Sequence, residues 1–143
     1  AKPFKLPLLA GGDFDLAQEK GKIIVLDFWA TWCGPCVKSL PEMTDLMAEF
    51  DPKKVRFIAV NQAEAKDQVK AFMESRGWKF EVVFDANQRV GQSFDAETLP
   101  HTVIVGADGK IAYVRTGYGP GDAKKTAEMV HKLLGDKPAE PAP

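Results

Sequence analysis

The sequence predicts an α/β sandwich, with a mixed central β-sheet covered by helices on both faces. Three observations lead there. The run Ile23-Ile24-Val25-Leu26 is apolar and mostly β-branched, too short to span a membrane, and reads as a strand buried on both faces. Strand and helix patterns then alternate, which favours parallel pairing with right-handed crossovers. Near the C-terminus, Asp108-Gly109 lies between two short apolar runs and signals a β-hairpin.

The elements follow in order. Residues 4–9 are apolar with prolines nearby and read as an extended, edge-like lead. Gly11-Gly12 marks a turn, so 14–16 can pair back as a small hairpin. Gly21-Lys22 opens the central strand. In 35–50, Val37, Leu40, Met43, Met47 and Phe50 share one helical face, and Pro35 suits the first turn because its missing N–H was an orphan there. VRFIAV at 55–60 is a second buried strand. Residues 65–76 form a helix with Val69, Phe72 and Met73 inward and Gly77 as its stop. FEVVF at 80–84 is a further strand, and 87–94 a short helix. Residues 102–105 and 111–115 flank the hairpin turn. Asp122 is placed to cap the last helix, whose inner stripe is Ala123, Ala127, Val130 and Leu134. The Pro/Ala-rich segment 136–143 is expected to be disordered, leaving one domain over 1–135.

Cys33 and Cys36 therefore stand where a buried strand ends and a helix begins. A helix N-terminus presents unpaired N–H groups and the positive end of the dipole, so a thiolate there is stabilised. Cys33 is the cysteine placed to feel this and to face solvent, and Cys36, one turn further in, should be more covered. That gives one nucleophile and one resolving thiol. A purely structural disulfide would close a four-residue ring worth about 2 kcal/mol before strain, a poor staple. A zinc site needs four ligands, and beyond this pair the usual donors are only the distant His101 and His131. A redox dithiol is the reading these residues favour.

The stretch Asp27-Phe28-Trp29-Ala30-Thr31-Trp32-Cys33-Gly34-Pro35-Cys36 resembles the active-site segment of the thioredoxin superfamily. Pro41 matches the proline that kinks that family's first helix, Leu99-Pro100 its cis-proline loop, Ala107-Asp108-Gly109-Lys110 its last hairpin turn, and 117–122 the turn before its last helix. The longer N-terminal lead and the extra segment before Pro100 resemble the TlpA/ResA-type branch. The resemblance implies a thioredoxin-like fold with an N-terminal extension and an insertion before the cis-proline loop. It also implies that Cys33, Cys36, Asp27 and Pro100 carry the chemistry, and that Trp32, Gly34, Pro35 and Leu99 contact the substrate, with the Leu99 backbone pairing with an extended chain. Asp27 matches the family's buried acid, which takes the proton of the resolving thiol. The family's lysine partner would align near Ala59 and is missing. TlpA/ResA-type relatives often reduce apocytochrome c or copper-site cysteines in the periplasm.

Composition bounds the rest. The chain has 143 residues, 45% of them hydrophobic and 27% charged, enough for one sound core. A net charge of −1 argues against nucleic acid or anionic membrane as a main partner, and no apolar stretch is long enough to cross a bilayer. The chain starts at Ala1 rather than Met, so removal of an N-terminal segment, a signal or an anchor, is expected. Together with the resemblance, this favours a periplasmic or membrane-anchored, periplasm-facing monomer over a cytoplasmic protein. Its partners would be protein substrates bearing disulfides and an upstream membrane or soluble thiol reductant. No metal or cofactor is called for.

Several residues carry two readings. His101 is either a neutral strand-lining side chain or a charge that tunes Cys33. His131 is read as a solvated face residue, Glu42 as helix-surface charge, and Trp29 as core packing or part of the site. The competing function is a copper-binding metallochaperone module of similar fold, but such proteins carry CxxxC with a distal His, whereas this chain has CxxC. A peroxiredoxin pattern, PxxxTxxC, would need Pro and Thr where Leu26 and Ala30 stand.

Overall fold

The structure, a computed structural model, describes residues 1–135. The predicted tail, 136–143, lies outside the described residues. Five strands form the main sheet: β3 (Ile23–Trp29), β4 (Val55–Gln62), β5 (Val82–Asp85), β6 (His101–Val105) and β7 (Ile111–Thr116), in the order β5-β4-β3-β6-β7. Pairing is parallel for β3–β4 and β4–β5 and antiparallel for β3–β6 and β6–β7. The expected mixed sheet is therefore present. A separate hairpin of β1 (Lys5–Pro7) and β2 (Asp13–Asp15) precedes it. A 3₁₀ turn, Leu16–Glu19, leads from that hairpin toward β3.

The central strand β3 is buried at all seven positions, as its unbroken apolar run requires. Its alternate side chains serve two different cores. Ile24, Leu26 and Phe28 pack with Phe14 of the hairpin and Phe94. Ile23 and Val25 pack under the helices α1 (Gly34–Met47) and α4 (Asp122–Leu134). Further along that face, Trp29 joins Leu40 of α1 and Val69 and Met73 of α2 (Lys66–Arg76). The short α3 (Arg89–Ser93) belongs with the hairpin on the opposite side. Burying each such large apolar side chain contributes about 1.5–3 kcal/mol, so the sheet is held from both faces.

Three local expectations change. The last helix is capped by Gly121 in a left-handed conformation. Asp122 is its first residue, and its carboxylate accepts instead from the Gly119 amide at 2.6 Å. The strand expected from Phe80 begins at Val82, and Phe80 instead packs tilted against Trp78 and edge-on to Trp29. His131 is not a solvated face residue: its side chain is 15% exposed, lies 4.6 Å from the Phe50 ring and has Glu49 at 3.9 Å. The amphipathic stripe of α4 turns this position toward the end of α1.

Candidate active site

Parallel β3 and β4 end on the same side of the sheet, and α1 starts there. Cys33 is the N-cap of α1 and Pro35 lies in its first turn. Cys33 and Cys36 form a disulfide. The Cys36 amide N–H donates to Cys33 Sγ at 3.3 Å, so the orphan donor of the first turn points at this sulfur. Cys36 is fully buried and Cys33 is 4% exposed. The order of burial is as expected, but Cys33 does not face solvent openly: in the disulfide both sulfurs sit in the cluster with Trp29, Ala30 and Leu40. Gly34 and Pro35 are exposed beside them.

Trp32 stands out from this cluster at 72% exposure. It lines a groove with Leu99, Gln62, Gln88, Gln92 and Glu97. Leu99 also packs against the cluster that contains both cysteines. The Leu99–Pro100 peptide is cis, and the Pro100 carbonyl accepts from the Gly117 amide at 2.8 Å. The residues expected to contact substrate, Trp32, Gly34, Pro35 and Leu99, are thus gathered around the disulfide.

Asp27 lies in β3, 1% exposed, opposite Ala59 on one side and Thr102 on the other. Its Oδ1 has no hydrogen-bond partner. Burial pushes its carboxyl up to about 7, against a smaller downward pull from Arg115. Trp29 belongs to the core: it is fully buried among Phe72, Trp78 and Phe80. His101 is buried in β6. Its Nε2–H donates to the Phe94 carbonyl at 2.8 Å, and its Nδ1 accepts from the Thr116 hydroxyl at 2.9 Å. Burial lowers its pKa, so the ring is neutral. The Tyr118 hydroxyl donates to Glu42, which therefore links α1 to the turn before α4 rather than standing as a free surface charge.

Two further residues bear on the site and are not evident from the motifs. Glu64 accepts from the Thr31 amide at 2.7 Å, from the Thr31 hydroxyl and from Asn61 Nδ2 at 2.9 Å. Ala63, at φ 60°, turns the chain so that this carboxylate folds back onto the loop before Cys33. Its position two residues past a parallel strand, at the C-terminal edge where open α/β sheets bind ligands, is a signal the sequence motifs did not use. Arg115, on β7, is the second. It is a lone cation on a strand that is partly buried at alternate positions. Among the described residues no three His, Cys, Asp or Glu side chains gather as a metal cluster.

The AhpC/TSA family model matches residues 1–114. The chain belongs to this family of the thioredoxin superfamily. It is 36% identical over 134 residues to the thiol-disulfide oxidoreductase ResA of Bacillus subtilis, covering 94% of this chain and 72% of that protein. ResA of Geobacillus thermodenitrificans is 34% identical over 117 residues, 82% of this chain and 67% of that one. Among solved structures, a Chlorobium tepidum protein described as a candidate thiol:disulfide interchange protein DsbE superposes with a TM-score of 0.86 at 28% identity, covering 94% and 95% of the two chains. With the Cys33–Cys36 disulfide at the strand–helix junction, these relationships make the chain a thiol–disulfide oxidoreductase.

Proposed function

We propose that the chain is a reductant of protein disulfides that works outside the cytoplasm as a monomer, with 1–135 acting as one domain. The observation that carries this is the Cys36 N–H aimed at Cys33 Sγ beside a groove walled by Trp32 and Leu99. In the reduced protein, the Cys33 thiolate attacks one sulfur of a substrate disulfide. A mixed disulfide forms, and the second substrate sulfur leaves as a thiolate that takes a proton from water. Asp27 then accepts the Cys36 proton. The Cys36 thiolate attacks Cys33 Sγ, the Cys33–Cys36 disulfide forms, and the first substrate sulfur departs as a thiolate that takes a proton from water, while Asp27 returns its proton to solvent. Two electrons pass from the cysteine pair to the substrate. An upstream thiol reductant restores the dithiol.

In this reading, the exposed Trp32 ring and the Leu99 backbone seat an extended substrate segment, with Gly34 and Pro35 as a flat, uncharged floor and Pro100 fixing the Leu99 edge. The substrates are proteins with closely spaced cysteines, of the kind found in apocytochrome c or a copper site, and the process served is cytochrome c maturation or copper-site assembly. The similarity to ResA and the DsbE-like structure supports an extracytoplasmic setting. Among the described residues no helix is long and apolar enough to cross a membrane.

The experiment is trapping with Cys36→Ser. Incubated with an oxidised two-cysteine haem-attachment peptide, this variant should accumulate a mixed disulfide through Cys33 that a thiol reagent reverses. Absence of any adduct, or an adduct that survives Cys33→Ser, rules the reading out.

A further inference from the structure

Asp27, Thr102 and Arg115 stand in one row across three strands. Asp27 pairs with Thr102 in the β3–β6 ladder, and Thr102 pairs with Arg115 in the β6–β7 ladder. Directly opposed residues of antiparallel strands project to the same face, so all three side chains point toward the α1/α4 layer. The Arg115 side chain is 12% exposed. Its guanidinium donates to Thr102 Oγ1 at 3.0 Å and to Thr126 Oγ1 of α4 at 3.3 Å, and Asp122 lies 3.9 Å away. Its Nε is buried without a hydrogen-bond partner. A cation this covered is costly unless an anion compensates it, and Asp122, at 3.9 Å, is a loose partner.

The other elements around Asp27 bring no charge to it. Ala59 of β4 and, beyond it, Val82 of β5 continue the row. On α1 the inward residues are Cys36, Ser39, Leu40 and Met43, while Lys38 and Glu42 are exposed and Glu42 is taken by Tyr118. On α4 the charge beside the row is Asp122, which faces the guanidinium. Ala59 brings no cation from the β4 side of the row, and the cation enters from the other side, on β7.

We propose that Arg115 is a positioning residue for the dithiol reaction: anchored by Thr102, it holds a fixed positive charge toward Asp27 so that this carboxylate can take the Cys36 proton near neutral pH. The proposal rests on the role given to Asp27 above. The direction of Arg115's effect on the Asp27 carboxyl agrees with it. The rival role is mechanical, a clamp between β7 and α4 through Thr126, in which the charge is incidental.

Arg115→Gln separates the two, because the amide can still donate to Thr102 and Thr126 but carries no charge. Two readouts are needed. The first is the pH dependence of the resolving step, followed as release of a chromogenic thiol from a preformed Cys33 mixed disulfide. The second is the Asp27 carboxyl titration by carbon NMR in the oxidised protein, which requires no activity. In Arg115→Gln both midpoints should move to higher pH by about half a unit to one unit, slowing resolution at pH 7 about two- to fivefold. Arg115→Lys should recover most of the shift. In an Asp27→Asn background, Arg115→Gln should leave the profile unmoved. An NMR midpoint unchanged in Arg115→Gln overturns the proposal, as does an equal slowing in the Asp27→Asn background. Should Arg115→Gln not fold, Thr102→Val, which removes the anchor and keeps the charge, must move the NMR midpoint the same way, and an unmoved midpoint overturns the proposal again. A shifted NMR midpoint with a resolving step indifferent to Asp27→Asn would count against the role of Asp27 and not against the placement of Arg115.

Discussion

The Cys36 amide N–H and Cys33 Sγ meet at 3.3 Å across the first turn of α1. The bond is directional: an N-cap sulfur receives the donor, while the sulfur of Cys36 is buried inside the helix–sheet interface. In the reduced protein the same donor and the dipole end favour a thiolate at Cys33, an effect of about 0.3–1 kcal/mol per interaction of this type. Iodoacetamide at pH 7 should therefore modify Cys33 well before Cys36, as peptide mapping would show. Equal labelling of the two cysteines would contradict the assignment of Cys33 as the attacking thiol.

Glu64 makes a second prediction, because both of its oxygens are used. Glu64→Gln leaves one acceptor for the Thr31 amide and hydroxyl and brings an amide donor against one of them. A lost hydrogen bond to a charged acceptor costs about 2 kcal/mol, so the urea midpoint should fall by that equivalent. The loop carrying Trp32 and Cys33 should loosen at the same time, read as faster amide exchange at 31–33. A midpoint within error of the unsubstituted protein would show that the Thr31–Glu64 pairing contributes nothing.

For Asp27 the sign of the pH dependence is fixed by burial. Its folded carboxyl titrates at about 7, above the ordinary 3.8. Between these values the native state holds more protons than the unfolded state, so this residue's contribution is fully present below about pH 4 and is lost as pH rises toward 7 and above. Three units correspond to about 4 kcal/mol. Asp27→Asn removes the ionisation, so the oxidised variant should gain stability over the unsubstituted protein at pH 8, by up to about that amount, and gain little of it at pH 4. Parallel stability–pH curves for the two proteins would show that Asp27 titrates normally.

The strands and helices were legible because their signals are local. The unbroken apolar run of β3, the 3.6-residue stripe of α1 and the Asp108-Gly109 turn each depend on neighbours in sequence. The cysteine pair, Asp27 and Trp32 were legible because one contiguous stretch, 27–36, carries them, and Leu99-Pro100 because it forms a short local signal of its own. Glu64 and Arg115 were not, since their partners lie far along the chain: Thr31 is 33 residues from Glu64, and Thr102 is 13 from Arg115. His131 was misplaced for a related reason. Its helix position was right, but whether Phe50 would meet it depended on how α1 and α4 pack, which periodicity does not specify.

The direction of electron flow is the last prediction, and the state of His101 bears on it directly. A protonated His101 near Cys33 would have stabilised the thiolate and made the dithiol form favoured, the property of a strong oxidant. His101 instead spends both ring nitrogens on Phe94 and Thr116, and burial keeps the ring neutral. Gly34 and Pro35 add no charge between the cysteines, and Lys38 is exposed on the outer face of α1. Apart from the helix end, little favours the thiolate, and the buried Asp27 carboxylate opposes it once ionised. The disulfide is then comparatively stable and the protein a reductant. Reductants of this fold poise near about −270 mV and strong oxidants near about −120 mV. Titration against glutathione should place half-oxidation close to the first value, and His101→Gln, which keeps a neutral polar side chain, should leave it nearly unchanged. A midpoint near the oxidising value would reverse the direction assigned here while leaving the Cys33–Cys36 exchange chemistry intact.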